Sequence, residues 1–313
     1  MLTATLPQKM LKLSEKIALP VYLQKLDDIL PKNIKPIVST RDLYPVVVSG
    51  EQVQLGKGAY GEVWLERLEC NGPLVAVKSC DITGQGDREK QLKDKFLVSL
   101  EARVLAFLSK KSRAFPYVYG ICEKVRFGTR KSIIIEYVGH PTKLKSVTLY
   151  KAIFFKDPHL TISNALRVAH DIAEGVQVMH QNGFIHSDLA SRNILLHHDG
   201  KRWTAKITDF GSISHVSAPF DFFQLHKIPA EQRQQCIAAH REYAPELFFS
   251  NAPPNFACDM HSTGNMFLEM GSNLQIKFLS KLGKLCTHID PKRRPVIDVI
   301  VKMLANKINT GNL

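Results

Sequence analysis

Ile185-His186-Ser187-Asp188-Leu189-Ala190-Ser191-Arg192-Asn193-Ile194-Leu195-Leu196 is followed, after one short basic hairpin, by Asp209-Phe210-Gly211. The stretch places a base, an amide and a second carboxylate where phosphoryl transfer uses them. Asp188 can accept the proton of an acceptor hydroxyl, and Asn193 and Asp209 can supply oxygen ligands to Mg²⁺. The apolar run after Asn193 predicts a buried strand that pins the loop from below. An isolated His-x-Asp is most often a surface turn, so the argument rests on the ordered series that leads to it.

That series starts at Leu55-Gly56-Lys57-Gly58-Ala59-Tyr60-Gly61-Glu62-Val63, three glycines between two segments of strand-like composition. Glycine lets a hairpin backbone bring its N–H groups close to phosphate oxygens, which a Cβ would hinder. A dinucleotide fingerprint needs a helix after the last glycine, whereas here a second strand, Val63 to Leu65, follows. No Gly-x-x-x-x-Gly-Lys-Ser/Thr is present either. Next comes Val75-Ala76-Val77-Lys78, an apolar strand ending in a lysine that can reach α- and β-phosphates if its ammonium is oriented. Glu101 can orient it. It sits in a predicted helix over 97–108, where Leu97, Leu100, Val104, Leu105 and Leu108 recur at helical spacing. A second helix is predicted over 162–179 from Ala165, Val168, Ala169, Ile172, Val176 and Met179.

Taken together, these motifs resemble the eukaryotic protein kinase family from about Val46 to about Leu304. The resemblance implies an α+β fold of two lobes: a small antiparallel β-sheet lobe over 46–138 and a mostly helical, shortened large lobe over 139–313, after an N-terminal extension over 1–45. It implies ATP as phosphate donor, Mg²⁺ (or Mn²⁺) as metal and a protein as acceptor. Gly56, Gly58 and Gly61 would cover the phosphates, with Leu55 beside them among the cofactor-binding residues, Lys78 would pair with Glu101, Asp188 would be the base, and Asn193 and Asp209 would hold the metals. Val63, Ala76 and Leu195 fall where the family sandwiches adenine. Glu136 to Val138 would offer backbone hydrogen bonds to the base, with Ile135 at the gate of the back pocket. Ala244-Pro245-Glu246 matches the closing motif of the activation segment, Arg294 the arginine that pairs with its glutamate, and Asp259 the aspartate that anchors the catalytic loop.

Within the family, Asp188-Leu189-Ala190-Ser191-Arg192-Asn193 is similar to the tyrosine-kinase loop. Ala190 stands where the serine/threonine branch has a lysine, and Arg192 supplies the cation from a later position. Arg241 and Ala239 point the same way, while Glu242 stands where the tyrosine branch has tryptophan. Ser187 replaces an arginine that in many kinases binds an activation-loop phosphate, and His261 replaces a common tryptophan. The segment Ser212 to Glu242 contains no tyrosine or threonine. Both facts predict a kinase that is not switched on by phosphorylation of that loop. From Asp259 to Arg294 there are only 35 residues, too few for the usual three helices and long loops, and Met270 to Cys286 can supply about one helix, so the usual substrate-docking helix is expected to be missing or vestigial. Two other readings compete: a pseudokinase acting as a nucleotide-binding scaffold, and a small-molecule kinase of related fold.

The composition fits this reading without suggesting it. The chain has 313 residues, 44% of them apolar, enough for two lobes with real cores. A formal charge of +13 suits bound ATP and would also suit an acidic partner or an anionic surface. The densest basic clusters, Lys110–Arg113 and Lys124–Lys131, read as exposed turns. No nucleic-acid reading motif is present. Six cysteines without a Cys-x-x-Cys pair read as reduced thiols, and neither a signal peptide nor a membrane span is evident. The expectation is a soluble, cytoplasmic protein. Residues 1–45, with five prolines, predict short helices at most.

Overall fold

In the computed structural model, the described residues are 22, 24–30, 39–58, 61–79, 88–122, 132–140, 142–157, 160–198 and 202–310, with backbone alone for 40, 58 and 88–97. The first 21 residues and the basic cluster Lys124–Lys131 lie outside them. They divide into two compact units: one drawn from Met1–Ile29, Leu149–Ile194 and Ser212–Leu313, the other from Leu30–Thr148 and Leu195–Gly211.

The second of these is built on a six-stranded sheet. Its strands are β1 (Leu43–Pro45), β4 (Gln54–Gly58), β5 (Gly61–Leu68), β6 (Leu74–Ser79), β7 (Val118–Cys122) and β8 (Ser132–Glu136), with the small hairpin β2 (Val47–Val48) and β3 (Glu51–Gln52) beside it. Every pairing is antiparallel, and the main order is β1-β5-β6-β8-β7 with β4 also on β5. Leu43, Val75, Val77, Cys122 and Ile134 form one core cluster of the unit.

Helix α1 (Arg88–Leu108) packs with this sheet and starts nine residues before the expected Leu97. The added turns are rich in Arg, Glu, Lys and Gln, strong helix formers that sustain a helix without an apolar stripe, the only signal that periodicity reads. In its second half Val98, Leu100, Ala102, Val104, Leu105 and Leu108 are buried. The unit also holds a three-stranded sheet, in which β11 (Ile194–His198) pairs with β9 (Val147–Thr148) and β12 (Trp203–Ile207). This is the strand anticipated after Asn193.

The other unit is mostly helical. Between β9 and β11 it contributes α2 (Leu149–Phe154), α3 (Ile162–Gln181) and β10 (Phe184–Ile185); after β12 come β13 (Ser214–His215), α4 (Ala230–Ala239), α5 (Phe256–Asn273), α6 (Lys277–Cys286) and α7 (Ile297–Asn309). Thr161 caps α3 by accepting a hydrogen bond from the Asn164 N–H, and the face through Ala165, Val168, Ala169, Ile172, Val176 and Met179 is buried, as its spacing predicts. The short span from Asp259 to Arg294 carries α6 as its own helix, pressed onto α5. A Cβ on Gly264 would lie 2.6 Å from the Cys286 Cβ, and one on Gly283 2.7 Å from the Gly264 carbonyl oxygen. The two glycines let the backbones approach, and close packing replaces the missing length.

Candidate active site

In the sheet unit, antiparallel pairing fixes the glycine hairpin and the lysine together. Gly58 faces Gly61 across the β4–β5 turn, and Val63 faces Lys78 across β5–β6. Gly61 holds φ 131°, a backbone that side chains rarely adopt, and is where the hairpin needs glycine. A Cβ on Gly56 would meet nothing within 4 Å, so only close approach by a ligand would make glycine useful there.

Lys78 Nζ donates to both Glu101 oxygens, at 2.7 and 2.9 Å, and lies 3.5 Å from Asp209 Oδ1. The side chains of Lys78 and Glu101 are only 19% and 10% exposed, so α1 holds the ammonium on a largely desolvated carboxylate. Asp209 has φ 66°, and the next residue, Phe210, is fully buried with its ring 5.9 Å from Phe115. Phe210 thus anchors a strained carboxylate.

The candidate adenine residues lie in the same unit. Ala76 is buried, while Leu55, Val63 and Leu195 are partly exposed. Of the three residues expected to hydrogen-bond the base, Glu136 already gives its N–H to the Tyr117 carbonyl at 2.8 Å, and its side chain pairs with Lys206 at 2.8 Å. The Val138 carbonyl accepts from Ser146 Oγ at 2.7 Å.

In the helical unit, the catalytic-loop sequence is held from below by Asp259. Its fully buried carboxylate accepts the N–H groups of His186 (2.8 Å) and Ser187 (3.0 Å), and it also contacts His180 Nε2 at 3.1 Å. This leaves Ser187 at φ 67° and turns the chain sharply into Asp188. Asn193 Nδ2 donates to the Asp188 backbone oxygen (2.8 Å) and to Oδ2 (3.1 Å), closing the loop on itself.

Arg192 Nη2 donates to Asp188 Oδ1 at 2.7 Å and Nη1 to Glu242 Oε1 at 2.8 Å. Burial works against its charge, but Asp188 and Glu242 together raise its pKa above the ordinary arginine value. The Tyr243 hydroxyl donates to the same Asp188 Oδ1 at 2.9 Å. Burial first, then the Asp188 charge, holds the proton on that phenol well above its usual range. Glu242 and Tyr243 were not foreseen in these roles. The signal in the sequence was a departure from pattern at Glu242, and a departure names no partner.

Farther along, Arg294 binds the Glu246 carboxylate in bidentate fashion, at 2.7 and 2.8 Å, and donates to the carbonyls of His288 and Ala257. His261 is a core residue. Its Nε2 lies 3.1 Å from the Arg241 carbonyl, and its Nδ1 is buried without a partner among the described residues.

The sheet unit therefore offers a glycine hairpin, an oriented ammonium and a carboxylate; the helical unit offers a carboxylate with amide and guanidinium neighbours. The sequence pattern of the protein kinase domain matches residues 50–279, and the chain belongs to the protein kinase family. Among curated proteins it is similar to the tyrosine-protein kinase hopscotch of Drosophila melanogaster, 24% identical over 84% of this chain and 23% of that protein. It is also similar to the tyrosine-protein kinase transforming protein Fps of avian sarcoma virus (strain PRCII), 32% identical over 53% of this chain and 27% of that protein. Serine/threonine-protein kinase BRI1-like 1 of Arabidopsis thaliana is 26% identical over 70% of this chain and 17% of that protein. The chain spans about a quarter or less of the length of these relatives. Arg294, the partner of Glu246, lies beyond the matched residues. No helix among the described residues is long and apolar enough to cross a membrane.

Proposed function

We propose that this chain is an active protein kinase that transfers the γ-phosphate of ATP to a protein hydroxyl, with tyrosine the favoured acceptor. The Lys78–Glu101 pair carries this reading, because a lysine buried against a glutamate and within 3.5 Å of Asp209 is costly as structure and useful for phosphate. ATP with Mg²⁺ fits the residues present: Asp209 and Asn193 offer hard oxygen donors, and Lys78 offers a cation. When bound, the metal would neutralise charge building up on the phosphates. Gly56, Gly58 and Gly61 would lie over those phosphates, Lys78 would position them, and Asp188 would take the proton from the acceptor hydroxyl. Val63, Ala76 and Leu195 would enclose the adenine.

Tyrosine preference rests on Ala190 and Arg192. Ala190 leaves no ammonium two residues after the base. Arg192, 47% exposed at its side chain, is the cation next to it. In this geometry Arg192 is committed to Asp188 and Glu242, so contact with a γ-phosphate requires it to exchange Glu242 for the phosphate. A pseudokinase lacks this reading's need for Asp188, and a small-molecule kinase its need for the Glu246–Arg294 anchor. An intracellular setting agrees with Cys70, Cys122, Cys236, Cys258 and Cys286 being thiols.

The test is incubation of the purified chain with labelled ATP, Mg²⁺ and a peptide library, followed by identification of the phosphorylated amino acid. Phosphotyrosine is expected to dominate; phosphoserine alone would refute the preference, and unmodified peptides the activity. Asp188→Asn is expected to lower turnover by roughly 10²–10⁴ with nucleotide affinity retained, since general-base help is worth about that much.

A further inference from the structure

We propose that Tyr243 is a positioning residue for the phosphoryl-transfer base, its hydroxyl and Arg192 together fixing the Asp188 carboxylate from the end of the activation segment. The inference rests on Asp188 being the base. It goes beyond that assignment by giving a role to a residue that no motif singles out.

Three observations converge. The Tyr243 ring is 4% exposed and sits in a cluster with Leu225, Ile228, Cys236, Leu247 and Phe248. Phe223 lies 5.1 Å away, ring to ring. Packed on all sides, the ring has one polar atom, and that atom reaches Asp188 Oδ1 at 2.9 Å. Secondly, the same oxygen takes Arg192 Nη2 at 2.7 Å, and the other end of that guanidinium is gripped by Glu242 at 2.8 Å. Neighbouring residues 242 and 243 thus hold both functional residues of the loop, four positions apart, in one ring of contacts. Thirdly, His240 Nδ1 stands 3.7 Å from Glu242 Oε1 and Asn193 Nδ2 3.1 Å from Asp188 Oδ2, so Glu242 and Asp188 are each contacted from more than one side.

The physical consequence is preorganisation. A carboxylate with two donors on one oxygen and an amide on the other cannot rotate without breaking a charge-assisted hydrogen bond. Its proton-accepting direction is set before substrate arrives, and that is the kind of contribution that acts on turnover more than on binding. A phenol entering as an internal substrate would need a mobile ring, and this one is packed. Because Glu242 and Tyr243 immediately precede Ala244-Pro245-Glu246, the position of the base is tied to the position of the activation segment's end.

Tyr243→Phe removes the hydroxyl and keeps the packed ring. In the full chain it is expected to lower kcat about tenfold, leave KM for ATP within about twofold and leave Tm nearly unchanged; Tyr243→Ala should lower Tm as well. Unchanged or increased kcat in Tyr243→Phe would overturn the proposal, an increase meaning that the hydroxyl blocks the base. A fall in kcat matched by a fall in Tm would also overturn it, reducing the residue to a structural one. Asp188→Asn separates this from the functional reading: if that variant keeps turnover, Asp188 is not the base, and the reading fails independently.

Discussion

Ser187 and Asp209 both hold left-handed backbone, at φ 67° and 66°, where residues with a Cβ are strained. Each is over-determined by neighbours, Ser187 by the Asp259 carboxylate and Asp209 by the burial of Phe210. The chemistry of both positions was readable from residue type and order, whereas the backbone twist was not, because it is imposed by a buried acid 72 positions away. The same holds for Tyr243, whose hydroxyl is aimed by packing. His261 allows a pH prediction. Burial, then the Arg294 charge, lowers its pKa, and its Nδ1 has no buried acceptor to meet a second proton. The unfolded chain therefore binds a proton near pH 6.5 that the folded chain refuses. Stability from this residue is present above about pH 6.5 and lost as pH falls through and below that value. Tm should drop between pH 7.5 and pH 5.5, and His261→Gln should flatten that slope; an unaltered slope would place the titration elsewhere.

The activation segment is the element in which local and distant forces meet. β13 pairs with β10, Ser214 Oγ accepts the Phe220 N–H at 2.9 Å, and Asp221 Oδ1 accepts those of Phe223 and Gln224. Tyr22, 4% exposed, lays its ring 5.2 Å from Phe220 and 5.9 Å from Phe222 and donates its hydroxyl to the Ile213 carbonyl. These contacts hold the first half of the segment. Ser214 is fully buried, which leaves Ser217, exposed, and Ser212, half-buried, as acceptors near Gly211. Phosphatase treatment and Ser217→Ala should both leave activity within about twofold; a tenfold loss would mean that a phosphate orders the loop. Tyr22→Ala, by contrast, should cost roughly 3–5 kcal/mol, the usual range for losing a buried aromatic, and should expose the segment to proteolysis. Periodicity identified α3 because one face is apolar, and it missed the first half of α1 because that half is polar. It gave Tyr22 no role, since its partners are about 200 positions away.

For the molecule as a whole, the +13 charge is a property of composition, so its effect is felt at long range and fades with salt. With an acidic peptide as acceptor, KM should rise severalfold between about 50 and 500 mM salt, where the Debye length falls from above 10 Å to a few Å. A neutral peptide should show little change, and equal responses would remove charge as a recognition term.

The sequence by itself determined the order of the candidate residues: glycine hairpin, lysine, glutamate, loop aspartate, asparagine, second aspartate. Each is a residue type at a spacing, and hydrogen-bond register or helical period carries spacing into space. It also determined that the span from Asp259 to Arg294 is too short for three helices, because length is a property of the chain. Only the tertiary structure decided that Arg192 is shared between Asp188 and Glu242, that Tyr243 shares the Asp188 oxygen, and that Tyr22 packs on the activation segment. Those contacts join residues far apart in the chain, and their partners are chosen by packing and by the need to satisfy buried polar atoms, neither of which leaves a local pattern.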